Sequence, residues 1–153
     1  MTLRKMVTAG LLVFAGAAVV YVLLETVRPQ VSPATGAAAG PADRVDAYYF
    51  HGRARCQTCR NLETYGQEAL RRGFGPALED GRLVWRPTNV DLPENRHYVQ
   101  DFQLRFRSLV LVEVRDGKPA RWKNLEGIWP LAGDREACMA YIEEEARRFM
   151  EAR

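Results

Sequence analysis

Between Met6 and Leu24 the chain runs for about nineteen residues without a charged side chain, close to the length that crosses the apolar core of a bilayer. Arg4 and Lys5 precede this run, and Glu25 and Arg28 offset each other behind it. The positive-inside rule then predicts a single-pass helix with the N-terminus in the cytoplasm and the remainder outside. A cleaved signal peptide is the alternative, but it calls for a shorter apolar stretch with small residues promptly after it. Here Tyr21 to Glu25 follow, and Ala37 to Ala39 lie well downstream. Residues 1–28 therefore read as a membrane anchor or an uncleaved signal, and export follows either way. Because this run cannot join a soluble core, the apolar content of 47% overstates what is left to fold. A chain of 153 residues then has room for one ordinary domain.

Residues 29–44 are rich in Pro, Gly and Ala and lack apolar periodicity, the composition of a flexible spacer. From Val45 onward, strand-like and helix-like patterns alternate. Val45–Phe50 is β-prone and breaks at His51-Gly52. Cys56–Arg72 has a helical stripe of Leu62, Tyr65 and Leu70, closed by Gly73. Leu83–Val90 is a second strand, with Pro87 acceptable at an edge. Pro93–Gln103 predicts a short helix, and Ser108–Arg115 a strand that turns at Asp116-Gly117 into Ala120–Lys123. Asp134 caps a last helix carrying Cys138, Tyr141, Ile142 and Phe149 on one stripe. The predicted order is β-α-β-α-β-β-α, an α/β domain over 45–153 whose mixed central sheet has helices on both faces.

The net charge of +3 is a weak field, and no basic block carries interleaved aromatics, which argues against nucleic-acid binding. The three cysteines are too few for a disulfide scaffold, and two of them are close together. Cys56-Gln57-Thr58-Cys59 follows a strand and opens a helix. A helix N-terminus favours the thiolate that attacks disulfides, and a two-residue gap lets a second sulfur reach the first. Cys56, at the more exposed position, is the expected nucleophile, and Cys59 the resolving thiol. The redox-active Cys56–Cys59 pair then needs no other cofactor.

Arg53, Arg55 and Arg60 flank the pair, either lowering the pKa of Cys56 or forming a solvated basic loop. His51, just upstream, reads as a loop residue or a base. Glu63, four residues after Cys59, is a proton acceptor for resolution or a residue on a wet helix face. A closed zinc site would need Cys138, His51 or His97 to complete it, and Cys138 sits on an apolar stripe. A two-thiolate site for a soft ion such as Cu(I) or As(III) stays open.

With strand, dithiol and helix in place, the domain resembles the thioredoxin fold. It is more closely similar to a small bacterial family, the nitrophenyl compound nitroreductase subunit ArsF. The likeness runs through Tyr48-Tyr49-Phe50-His51-Gly52, Arg55 to Cys59, Asn89-Val90-Asp91 with Glu94-Asn95, Ser108 to Leu111, Trp122 to Leu125, and Ile128-Trp129. This resemblance implies a periplasmic domain on the bacterial inner membrane, and a protein redox partner engaged in nitroaromatic reduction. No GxGxxG follows a strand, so a thiol protein feeding a separate reductase fits better than a complete nitroreductase. Thioredoxins carry a cis-proline before the strand that faces the dithiol. Ser108, or Arg107 in the neighbouring register, stands there in this chain, and Arg107 can stabilise a thiolate or an anionic partner. Three functions follow from these residues: a tethered thiol–disulfide oxidoreductase, a soft-metal or arsenic carrier, and a non-catalytic assembly subunit.

Overall fold

The computed structural model describes residues 43–152. The expected membrane span at Met6–Leu24 and nearly all of the spacer lie outside the described residues. Within them the elements are β1 (Arg44–His51), α1 (Gln57–Glu79), β2 (Leu83–Asn89), α2 (His97–Asp101), β3 (Leu109–Arg115), β4 (Lys118–Asn124) and α3 (Arg135–Glu151). Single 3-10 turns at Pro93–Asn95 and Glu126–Ile128 precede α2 and α3. The order is the one that the alternation of patterns predicts.

The sheet order is β2-β1-β3-β4, with β1 and β2 parallel and the other two pairs antiparallel. The β1-α1-β2 crossover requires the parallel pair. The β3-β4 hairpin needs only two turn residues, Asp116 and Gly117, both at positive φ (50° and 75°). That backbone matches the twist of the flanking strands, and Asp-Gly adopts it readily. Pro87 lies on β2, an edge strand, where the loss of a backbone N–H is tolerated.

Alternation along β1 separates two apolar layers. Val45, Ala47 and Tyr49 face α1 and α3, packing with Leu62, Leu70, Leu111 and Ile142. Phe50 faces the other way and joins Phe102, Val110, Val112 and Val114. Strand β3 contributes to both layers, so six of its residues in succession are buried. Helices do lie on both faces, but unequally. Helix α2 has only five residues, too few to be stable by itself. It is held by rings: Phe50 lies 5.3 Å from Tyr98 and 5.7 Å from Phe102.

Helix α1 differs from expectation at its end. It does not stop at Gly73 but bends at Phe74 (φ −138°, ψ 28°) and continues through Pro76 to Glu79. Gly73 serves packing rather than termination, since a Cβ there would sit 3.3 Å from Glu143 Cγ on α3. The left-handed glycine that follows the helix is Gly81 (φ 77°). The predicted helix over Pro93–Gln103 is likewise divided into the 3-10 turn and α2. Asp134 does cap α3, accepting from the Ala137 N–H at 3.0 Å. Asp134→Ala should lower stability by about 1 kcal/mol, measurable by urea denaturation.

Candidate functional site: a dithiol at the head of helix α1

Cys56 is the N-cap of α1, in extended conformation (φ −71°, ψ 165°). Its sulfur accepts a hydrogen bond from the Cys59 backbone N–H at 3.2 Å. Cys59 lies one turn into the helix with its Sγ 2.6 Å from that of Cys56. Cys56 is exposed and Cys59 is buried, at 8% exposure. This asymmetry divides the two thiols chemically. The Cys56 thiol is held below its usual range, first by the Cys59 thiol hydrogen bond and then by the Cys59 backbone N–H. The Cys59 thiol is raised, first by burial and then by its hydrogen bond to Cys56, with Arg107 acting in the opposite sense.

The flanking arginines differ in their surroundings. Arg55 is held by an acid and a histidine. Its Nη1 donates to Glu63 Oε2 at 2.6 Å and its Nε to His51 Nδ1 at 3.3 Å. Glu63 is therefore half-buried in an ion pair rather than on a wet face. His51 is the last residue of β1 rather than a loop residue. Arg60 is exposed in the first turn of α1, and its backbone N–H donates to the Cys56 carbonyl at 3.2 Å.

The loop before β3 forms the opposite wall. Ser108 is buried, its hydroxyl donating to the Phe106 carbonyl at 3.2 Å and its own carbonyl accepting from the Phe50 N–H at 2.9 Å. Among the described residues no peptide bond is cis. The Arg107 carbonyl accepts from the Trp129 indole at 2.8 Å. The Arg107 guanidinium lies over Gly52, where any Cβ would overlap it. These parts enclose a groove of about 340 Å³ lined by Ala54, both sulfurs, Arg105, Phe106, Arg107 and Trp129. A larger groove of about 650 Å³ opens on the far face of the sheet between Arg44 and Trp122. It contains no thiol, and its buried Asp46 is ion-paired to Arg44 and Arg86.

Tyr49, Arg105, Phe106 and Trp129 have no site role in the sequence reading. Tyr49 is buried in the core, and its hydroxyl donates to the Cys59 carbonyl at 2.6 Å, fastening the turn that carries the resolving thiol. Its own ionisation is pushed well up, mainly by burial. Only the order Arg-Phe-Arg, an aromatic set between two charges, signals the groove wall in the sequence. Cys138 is fully buried on α3, and burial raises its thiol pKa to about 11, which makes it inert. Among the described residues no three His, Cys, Asp or Glu side chains converge to hold a metal ion.

Reactivity should follow the division between the thiols. A thiolate is present above its pKa, so iodoacetamide should label Cys56 with a pH midpoint below that of an ordinary cysteine and Cys59 only at higher pH. Arg107→Gln should move the Cys59 midpoint up further and leave that of Cys56 nearly in place. Mass spectrometry of each labelled peptide across pH reads both.

No protein-family model matches this sequence, and no curated protein matches it.

Proposed function

We propose that this chain is a thioredoxin-like thiol–disulfide oxidoreductase, tethered to the membrane by its N-terminal segment and working outside the cytoplasm. The observation that carries this reading is the pairing of an exposed, helix-capping Cys56 of lowered pKa with a buried Cys59 in contact behind it. The β-α-β-α-β-β-α order around a β2-β1-β3-β4 sheet supports a thioredoxin-like architecture. The likeness to the ArsF family points to a recipient, a separate reductase acting on nitroaromatic compounds.

The chemistry balances without any other group. The Cys56 thiolate attacks one sulfur of a partner disulfide, forming a mixed disulfide while the partner's S–S bond breaks and its leaving thiolate takes a proton. Cys59 then loses its proton and attacks Cys56 Sγ. The Cys56–Cys59 disulfide forms and the second partner sulfur leaves, so the partner gains two electrons and the chain loses two. A dithiol donor returns the chain to its reduced form, and the reverse sequence oxidises a partner. Arg107 beside Cys59 favours the thiolate needed in the second step.

The test is turnover of 2-hydroxyethyl disulfide by the chain in the presence of excess dithiothreitol. The chain should accelerate this exchange above background, and Cys56→Ser should return it to background. Equal rates with and without Cys56 would remove the oxidoreductase reading.

A further inference from the structure

We propose that the groove beside Cys56 selects an acidic polypeptide partner, one with carboxylates around an apolar residue next to its reactive cysteine. This inference rests on the oxidoreductase reading and names the chemistry of the partner.

Two independent features of the groove mouth carry it. The first is an excess of positive charge. Over the rest of the domain most arginines are matched to carboxylates, among them Arg44 and Arg86 to Asp46, Arg72 to Glu143, Arg121 to Glu113, and Arg135 to Glu68, with Arg71 and Arg96 as exceptions. Arg105 and Arg107 line the groove, Arg53 and Arg60 adjoin its residues Ala54 and Cys59 in the chain, and none of the four makes an ion pair among the described residues. Of the acids nearby, Glu63 is paired with Arg55, whereas Asp91 accepts from the neutral Arg53 backbone N–H at 2.8 Å and keeps its charge beside Arg107, offsetting part of one arginine. Since the whole chain carries only +3, the positive field is local to the dithiol.

The second feature is an exposed aromatic. Phe106 is 66% exposed, the largest value among the exposed large apolar side chains described. It stands between Arg105 and Arg107 with its ring edge-on to Trp129, centroids 6.3 Å apart. An aromatic left in water and rimmed by charge is the usual composition of an interaction surface. The four arginines come from three chain segments near the dithiol. A small anionic disulfide would meet Arg105 or Arg107 alone. An extended acidic segment meets these two and reaches beyond the groove while its apolar side chain covers Phe106 and Trp129.

The test uses the whole 153-residue chain and four disulfides. Two are dimers of single-cysteine peptides, one with aspartates around a Phe-Cys pair and one with lysines in their place. The others are oxidised glutathione and the neutral 2-hydroxyethyl disulfide. At low ionic strength the acidic peptide should be reduced at least about tenfold faster than the basic one, as expected for electrostatically steered encounter. The ratio should shrink as salt shortens the screening length, and Arg53→Glu with Arg105→Glu should invert it. Equal rates for the two peptides, with the neutral disulfide still reduced, would overturn this inference and leave the oxidoreductase reading standing. Preference for oxidised glutathione without preference for the acidic peptide would also overturn it, in favour of a small anion. Failure to reduce any of the four would remove both readings together.

Discussion

Replacing Cys59 by serine should arrest disulfide exchange halfway, leaving Cys56 covalently joined to its partner. Cys56 alone keeps the capped position and the exposure that make it a nucleophile. What it loses is the sulfur 2.6 Å away that releases the partner. With Cys59→Ser, incubation with a disulfide substrate should therefore accumulate a stoichiometric adduct on Cys56, while turnover falls to background. Cys56→Ser should form no adduct, because Cys59 is buried and its pKa is raised. Non-reducing electrophoresis and intact-mass measurement separate the outcomes. A Cys59→Ala variant should also lose part of the depression of the Cys56 pKa, since the Cys59 thiol is its largest cause. A serine hydroxyl is a better donor than a thiol, so Cys59→Ser keeps a hydrogen-bond donor beside Cys56 and adduct formation should persist.

The second large effect is expected far from any sulfur. Phe50→Ala removes the ring around which Tyr48, Tyr98 and Phe102 gather, and truncating a fully buried phenylalanine costs about 3–5 kcal/mol. The loss should fall unevenly. The layer between the sheet and helices α1 and α3 is independent of that ring, whereas α2 is too short to survive without its aromatic contacts. Hydrogen exchange should show residues 97–104 losing protection first. Leu104 packs against the same cluster, and Arg105 to Arg107 follow it directly. Docking at the groove should then weaken before the intrinsic reactivity of Cys56 changes. Uniform loss of protection across β1, α1 and α3 would show instead that the two layers unfold as one.

Much of this architecture is legible from residue patterns because local signals and tertiary packing agree. The Asp116-Gly117 hairpin, the Asp134 cap and the strand β3 each follow from short-range chemistry that the fold leaves intact. Gly73 misleads for a physical reason. A glycine after a helical stripe reads as a stop, but here it makes room for Glu143, and the helix bends instead of ending. The shortness of α2 is hidden similarly, because a proline-led polar segment gives no measure of how many turns aromatic packing will support.

At the candidate site, spacing reveals the pair of cysteines and that Cys56 is the more exposed of the two. It does not reveal which charges act. Arg55 lies next to Cys56 in the chain yet is drawn to Glu63 and His51, whereas Arg107, forty-eight residues beyond Cys59, is an arginine whose charge reaches the Cys59 sulfur. Tyr49 is invisible as a site residue because strand alternation explains its burial completely. Its hydrogen bond to the Cys59 carbonyl exists only once β1 lies beneath α1.

The most direct test of a cycling dithiol is the redox midpoint of the Cys56–Cys59 couple. It is read by trapping free thiols with a mass label on the whole chain, across buffers of stepped potential. A single two-electron transition between about −270 and −120 mV is the expected result, the range spanned by reducing and oxidising members of the dithiol class. Its position also assigns the chain as donor or acceptor. A pair that stays disulfide-bonded below about −300 mV, or one that resists oxidation until a chelator is added, would contradict the account. The first result would make the bridge structural, and the second would make the thiolates a metal site.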